Sequence, residues 1–438
     1  MNIAKNLKNI SWTALDKMTF VLYGIASVVL LRVTDSFELG LFTLFNNVHN
    51  LIFSIGYYIG FQSLLHFSND KKQNPVINFY AILNATIIVV VLNALVIAAK
   101  YPLANIFNEE HLVDIIDALP IIMLLSIPRY FNVVICYRET KIARLFAINL
   151  IYFGSISGII FYNVWNNSFL THRDLINITY IGSALSVVVG TILNIKYWKF
   201  KLPNKDTIIK YKDIISYSAK FSIGSIALTI PRTLDAYVIQ YFFGTNVVGL
   251  YAPAKTIFRF VEDLTTAIGL TIYSHTVKYF ANNDMVNINK LVSKTISITF
   301  IFFFALTIFC WIFGSNLFEL FLPARFTAAL PIFNWLMLSS LFLSFTLLST
   351  TINAEGKPEL VSKYTLVAVI FWLISFWFVS VSFPNTIEVV AIPYIIFTFI
   401  LSALFFNYAK KHYNLKLHQL FRFFSDTYNF VKDKIKNK

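Results

Sequence analysis

Between Ile230 and Thr266 an otherwise apolar stretch carries Arg232, Asp235, Lys255, Arg259, Glu262 and Asp263. On a helix Arg232 and Asp235, three apart, share a face. Lys255, Arg259 and Asp263 follow at intervals of four and Glu262 lies seven after Lys255, so the second of the two helices has a charged stripe. Charges at membrane depth are costly unless paired or wetted, and by default they mark function. A stripe on an apolar helix is expected to line a watery cavity, which points to transport. Arg129, in mid-span after Pro128 and with no acid within four residues, joins the set. The reading is therefore of four cations, Arg129, Arg232, Lys255 and Arg259, facing an anionic cargo. Asp235, Glu262 and Asp263 serve ion pairing or coupling. No catalytic residue, metal site or cofactor is expected.

The elements that must hold these residues are membrane helices. Of 438 residues 57% are hydrophobic and only 13% charged, more apolar surface than a soluble core could absorb. Twelve apolar stretches of about twenty residues, from 12–33 to 387–409, have the length of bilayer spans. They consume most of the chain and leave no room for a soluble catalytic domain. The first stretch lacks a small-residue cleavage site and is expected to be retained. Cys136 and Cys310 both lie in apolar runs and read as packing residues.

The net charge of +14 would suggest nucleic acid on a soluble protein, but its placement says otherwise. With the N-terminus inside, cytoplasmic segments hold 27 of the 36 lysines and arginines and the outer loops four. That bias places both termini in the cytoplasm. Nucleic acid is excluded as a partner.

The halves repeat. Asn105–Phe107 and Ala118–Ile121 return as Asn316–Phe318 and Ala329–Ile332, and Glu38–Phe42 returns as Val247–Tyr251. Six spans precede each return, so the repeats are parallel, and the expected fold is all-α, two six-helix lobes around a central cavity. The division is 1–198 for the first lobe, 199–215 for a basic linker, 216–409 for the second lobe and 410–438 for a basic tail. The N-terminal segment, the linker and the tail from Leu417 show amphipathic spacing suited to an anionic leaflet.

These features resemble the polysaccharide-exporter branch of the multidrug/oligosaccharidyl-lipid/polysaccharide (MOP) superfamily, specifically Wzx-type O-antigen flippases. The carrying residues are Glu38-Leu39-Gly40-Leu41-Phe42, Arg232-x-x-Asp235 followed by Gly244, Val248-Gly249-Leu250-Tyr251 and Ala254, and the turn Asn353-Ala354-Glu355-Gly356-Lys357. The resemblance spans the whole chain, with loose motifs. It implies two bundles alternating between inward and outward openings in the bacterial inner membrane. The cargo it implies is an undecaprenyl-pyrophosphate-linked oligosaccharide. A pyrophosphate needs a wet, cationic path, and arginine suits phosphate through its fork of donors. A polysaccharide polymerase and chain-length machinery are the expected neighbours.

No Walker-type nucleotide loop is present, so an ion gradient or the membrane potential is expected to drive the cycle. Two rivals remain within transport, a MATE-like drug/ion antiporter and a peptidoglycan-precursor flippase. The first would concentrate carboxylates in one lobe; the second usually carries two further spans. A membrane polymerase or ligase would need a large outer loop with an active site, and none is read here.

Overall fold

A chain crossing hydrocarbon must satisfy its backbone hydrogen bonds internally, which helices do. The computed structural model describes residues 3–67, 71–204, 207–384 and 386–416, and among these no strand occurs. The first eight helices are α1 (Ile3–Leu30), α2 (Ser36–Gly60), α3 (Gln62–His66), α4 (Asn74–Ala98), α5 (Lys100–Phe107), α6 (Leu112–Arg138), α7 (Ile142–Trp165) and α8 (His172–Asn194). Then come α9 (Tyr211–Thr233), α10 (Asp235–Phe243), α11 (Thr245–Ala281), α12 (Met285–Phe321), α13 (Ala329–Thr346), α14 (Leu348–Ala354), α15 (Pro358–Ser382) and α16 (Ile392–His412).

Among the described residues nine spans are long and apolar enough to cross a membrane. This is a multi-pass membrane protein. Helices also occupy the other three predicted spans: α2, α9 with α10, and α11. Those three are the polar ones. They carry Asn46, Asn47, His49 and Asn50 on α2 and the charged residues on α9 to α11.

Helix ends follow local chemistry. Asp35 caps α2 by accepting the Glu38 N–H at 2.9 Å. Thr171 and Asp174 form a capping box at the start of α8. Pro231 removes a backbone donor near the end of α9, and the helix stops at Thr233 before α10 begins at Asp235. Gly244 then turns the chain into α11 with φ +84°, a left-handed value that suits glycine.

Packing divides the chain into two compact units. The first holds Met1–Ala252 with Phe321–Phe326, the second Pro253–Leu320 with Thr327–Lys438. Thus α9, α10 and the first turns of α11, which the repeat assigns to the second half of the sequence, pack with the first unit. The contact responsible lies where the repeated motifs meet. A Cβ on Gly249 would fall 1.6 Å from the Ser36 carbonyl oxygen, and one on Gly40 2.3 Å from that of Thr245. Ser36 Oγ donates to Asn246 Oδ1 at 3.0 Å beside this crossing. Corresponding positions of the two repeats therefore touch backbone to backbone, which glycine at both allows. Tyr237 of α10 adds a hydrogen bond from its hydroxyl to the Leu44 carbonyl at 2.8 Å.

The first unit also buries Cys136 with Val133, Leu145 and Ile148, and both cysteines are free and buried, in keeping with packing roles. In the second unit hydroxyls join apolar helices. Thr307 of α12 donates to the Met337 carbonyl of α13 at 3.0 Å, and Ser402 of α16 to the Phe342 carbonyl of α13 at 2.7 Å. The predicted amphipathic tail from Leu417, and Lys205 and Asp206 of the linker, lie outside the described residues.

Candidate functional site

The charged stripe of α11 divides into an inner and an outer pair. Lys255 and Glu262 are buried, at 4% and 5% exposure, whereas Arg259 and Asp263 are exposed. Helix geometry accounts for this. Seven residues bring Glu262 to within about 20° of Lys255, while each step of four swings the stripe by about 40°, so Asp263 stands about 80° away. Lys255 Nζ lies 4.0 Å from Glu262 Oε1 and 3.7 Å from the centre of the Tyr394 ring on α16. The Tyr394 hydroxyl donates to Glu262 Oε1, and Phe258 meets the ring edge-on. A lysine thus sits beside a carboxylate, a phenol and an aromatic face, contacts that offset the cost of burying an ammonium group. Arg259, exposed on a helix predicted to cross the membrane, requires either water or an anion beside it.

A second polar cluster lies in the first unit. Arg129 on α6 is buried, 5% exposed, with its guanidinium stacked 3.7 Å from the Tyr152 ring centre and 4.8 Å from that of Tyr130. One terminal nitrogen donates to Asn149 Oδ1 at 3.3 Å. Asn149 Nδ2 in turn donates to Asp16 Oδ1 at 2.9 Å, and Asp16 is 3% exposed. Arg129 therefore has an acid after all, supplied by α1 through an amide on α7. Its Nε is buried without a hydrogen-bond partner. Asp16, in the first half of α1, thus belongs to this buried network.

Asp235 and Arg232 face different surroundings. Asp235, buried at the first residue of α10, accepts the Tyr251 hydroxyl at 2.7 Å and the Ala236 N–H at 2.8 Å. Arg232, one turn earlier and before the break at Leu234, is exposed. The break turns two residues that would share a face of one helix into residues of two helices.

The polar content of α2 works between helices: His49 Nε2 bonds to Ser126 Oγ on α6 at 2.9 Å, both buried. Sequence reading places Tyr251 only within a repeated motif and misses Asn149, Tyr152 and Tyr394, which complete the clusters with it. Nothing local marks them among 23 tyrosines in the chain; only the packing of distant helices selects them.

A family model described as polysaccharide biosynthesis protein matches residues 29–331. No curated protein matches the chain. Among solved structures, an inward-facing multidrug resistance MATE family transporter of the MOP superfamily aligns with TM-score 0.74 at 14% identity, over 93% of this chain and 98% of the other. The lipid II flippase MurJ in an inward closed conformation aligns with TM-score 0.74 at 12% identity, over 94% and 90%. A MATE transporter from Vibrio cholerae aligns with TM-score 0.58 at 13% identity, over 92% and 98%. At these identities the likeness is one of fold.

Proposed function

Because the chain belongs to the polysaccharide biosynthesis protein family, we propose that it flips a lipid-linked oligosaccharide from the inner to the outer leaflet of the bacterial cytoplasmic membrane. The observation that carries the reading is the conjunction of that family with a fold shared with a lipid II flippase and MATE transporters. No bond is made or broken. The cargo is an undecaprenyl-pyrophosphate-linked repeat unit of O-antigen or a related glycan. Its pyrophosphate meets cations along a wet path, with Arg259 and Arg232, both exposed, as first contacts. Lys255 and Arg129, held in buried aromatic settings, act once the path opens to them. Glu262, Asp263 and Asp235 balance the cations or couple the cycle to an ion gradient or the membrane potential.

Cells lacking the protein are expected to accumulate the lipid-linked oligosaccharide on the cytoplasmic leaflet and to lose surface polysaccharide. Arg259→Ala, expressed normally, should reproduce that phenotype. Normal surface polysaccharide with no accumulation would shift the reading to drug or ion export, which the MATE-like fold keeps in view. Single repeat units building up on the outer leaflet would place the defect in polymerisation instead.

A further inference from the structure

Sequence reading expects no metal, yet the start of α6 and the start of α8 bring together His111, Asp114 and His172, each offering one donor atom within 4.8 Å of the others. We propose that these three residues bind one divalent transition-metal ion of the zinc class, tying together the ends of α2, α6 and α8.

The second observation is the state of His172. Glu38 Oε2 on α2 lies 2.7 Å from its Nδ1 and 2.6 Å from its backbone N–H. A carboxylate accepting from Nδ1–H leaves the lone pair on Nε2, the tautomer a metal-binding imidazole needs. That Nε2 is buried and has no hydrogen-bond partner, on a residue only 5% exposed. A structural histidine would bond both nitrogens; this one has its far nitrogen held ready and its near one anchored to an acid.

The other two donors suit the same ion. His111 Nδ1 is 3.9 Å from Asp114 Oδ2, and the two imidazole rings lie 5.8 Å apart. Arg173 donates to Asp114 Oδ2 at 2.6 Å, which leaves Oδ1 for a cation. Donors around tetrahedral zinc stand about 3.4 Å apart, given bonds of about 2.1 Å. Against a present spacing of up to 4.8 Å, a contraction of at most about 1.4 Å (4.8 − 3.4) closes the site, and His111, exposed ahead of α6, has open space to shift into. Two imidazoles and a carboxylate leave a fourth position for water or an exchanging ligand. The helix starts carry partial positive charge, but the Glu38 carboxylate, 2.7 Å from His172 Nδ1, sets a negative charge beside them. The inference is independent of the cargo.

The test uses the full-length protein, purified in detergent and stripped with chelator. Titration with Co²⁺ should give one ion per chain with the visible absorption of a tetrahedral N/O site, displaced by Zn²⁺, and Zn²⁺ should raise the thermal unfolding temperature. His111→Ala and Asp114→Asn should each abolish the cobalt spectrum. Glu38→Gln should weaken binding about 10- to 100-fold, while His66→Ala leaves it unchanged. His111 is exposed, so its variant is expected to fold even if His172→Ala does not. No cobalt spectrum in the parent protein, or one that survives in both His111→Ala and Asp114→Asn, overturns the proposal.

Discussion

Replacing Gly249 by alanine is the sharpest test of the fold. The added methyl would lie 1.6 Å from the Ser36 carbonyl oxygen, whereas ordinary contact begins at 3.4 Å, so by difference (3.4 − 1.6) the two backbones must part by about 1.8 Å. The atom met is main-chain carbonyl and cannot rotate away. Overpacking of this kind costs about 1–3 kcal/mol, against a gain of about 0.5–1 kcal/mol for glycine to alanine within an unobstructed helix. Gly158 on α7 supplies the control, because a Cβ there meets nothing within 4 Å. Thermal unfolding of purified protein in one detergent should therefore show Gly249→Ala lowered and Gly158→Ala equal to or above the parent. Gly40→Ala should resemble Gly249→Ala, since its Cβ would meet the Thr245 carbonyl oxygen at 2.3 Å. A Gly249→Ala protein as stable as Gly158→Ala would refute the close crossing and, with it, the account of why the first turns of α11 join the first unit.

In the second unit, Lys255→Ala removes the cation from the buried pair with Glu262 and should destabilise by about 3–5 kcal/mol, whereas Lys255→Met combined with Glu262→Gln should recover most of the loss; a double-mutant cycle with additive effects would count against the pair. Arg129→Lys keeps charge but loses the planar stack on Tyr152, so surface polysaccharide should fall while expression holds; full activity would remove Arg129 from the cargo path. Between α14 and α15, burial raises the Glu355 carboxyl, but hydrogen bonds from Lys357, Tyr413 and Tyr408 together outweigh it and hold the group below the ordinary glutamate value of 4.5. A depressed carboxyl contributes stability above its unfolded value and loses it as pH falls through the folded one. Unfolding temperature should thus drop on acidification below about pH 4.5, and less steeply in Glu355→Gln; identical profiles would refute the linkage.

Much of the architecture was legible before any coordinates. Hydrophobic runs of span length mark helices because a bilayer leaves the backbone few other choices, and the parallel repeat is written in motifs such as Glu38–Phe42 and Val247–Tyr251. The charges that single out α9 to α11 are equally plain, since their cost at depth demands a reason. Periodicity could group Lys255, Arg259, Glu262 and Asp263 on one side of a helix. It could not say which of them the neighbouring helices would cover. That division came from Tyr394 on α16, far away in sequence, just as the acid for Arg129 came from Asp16 by way of Asn149. The meeting of His111, Asp114 and His172 is of the same kind. Local sequence determines which segments become helices and what each face carries. Which faces meet is decided only when distant helices pack, because burial and hydrogen bonding between them depend on neighbours that no short window of sequence contains.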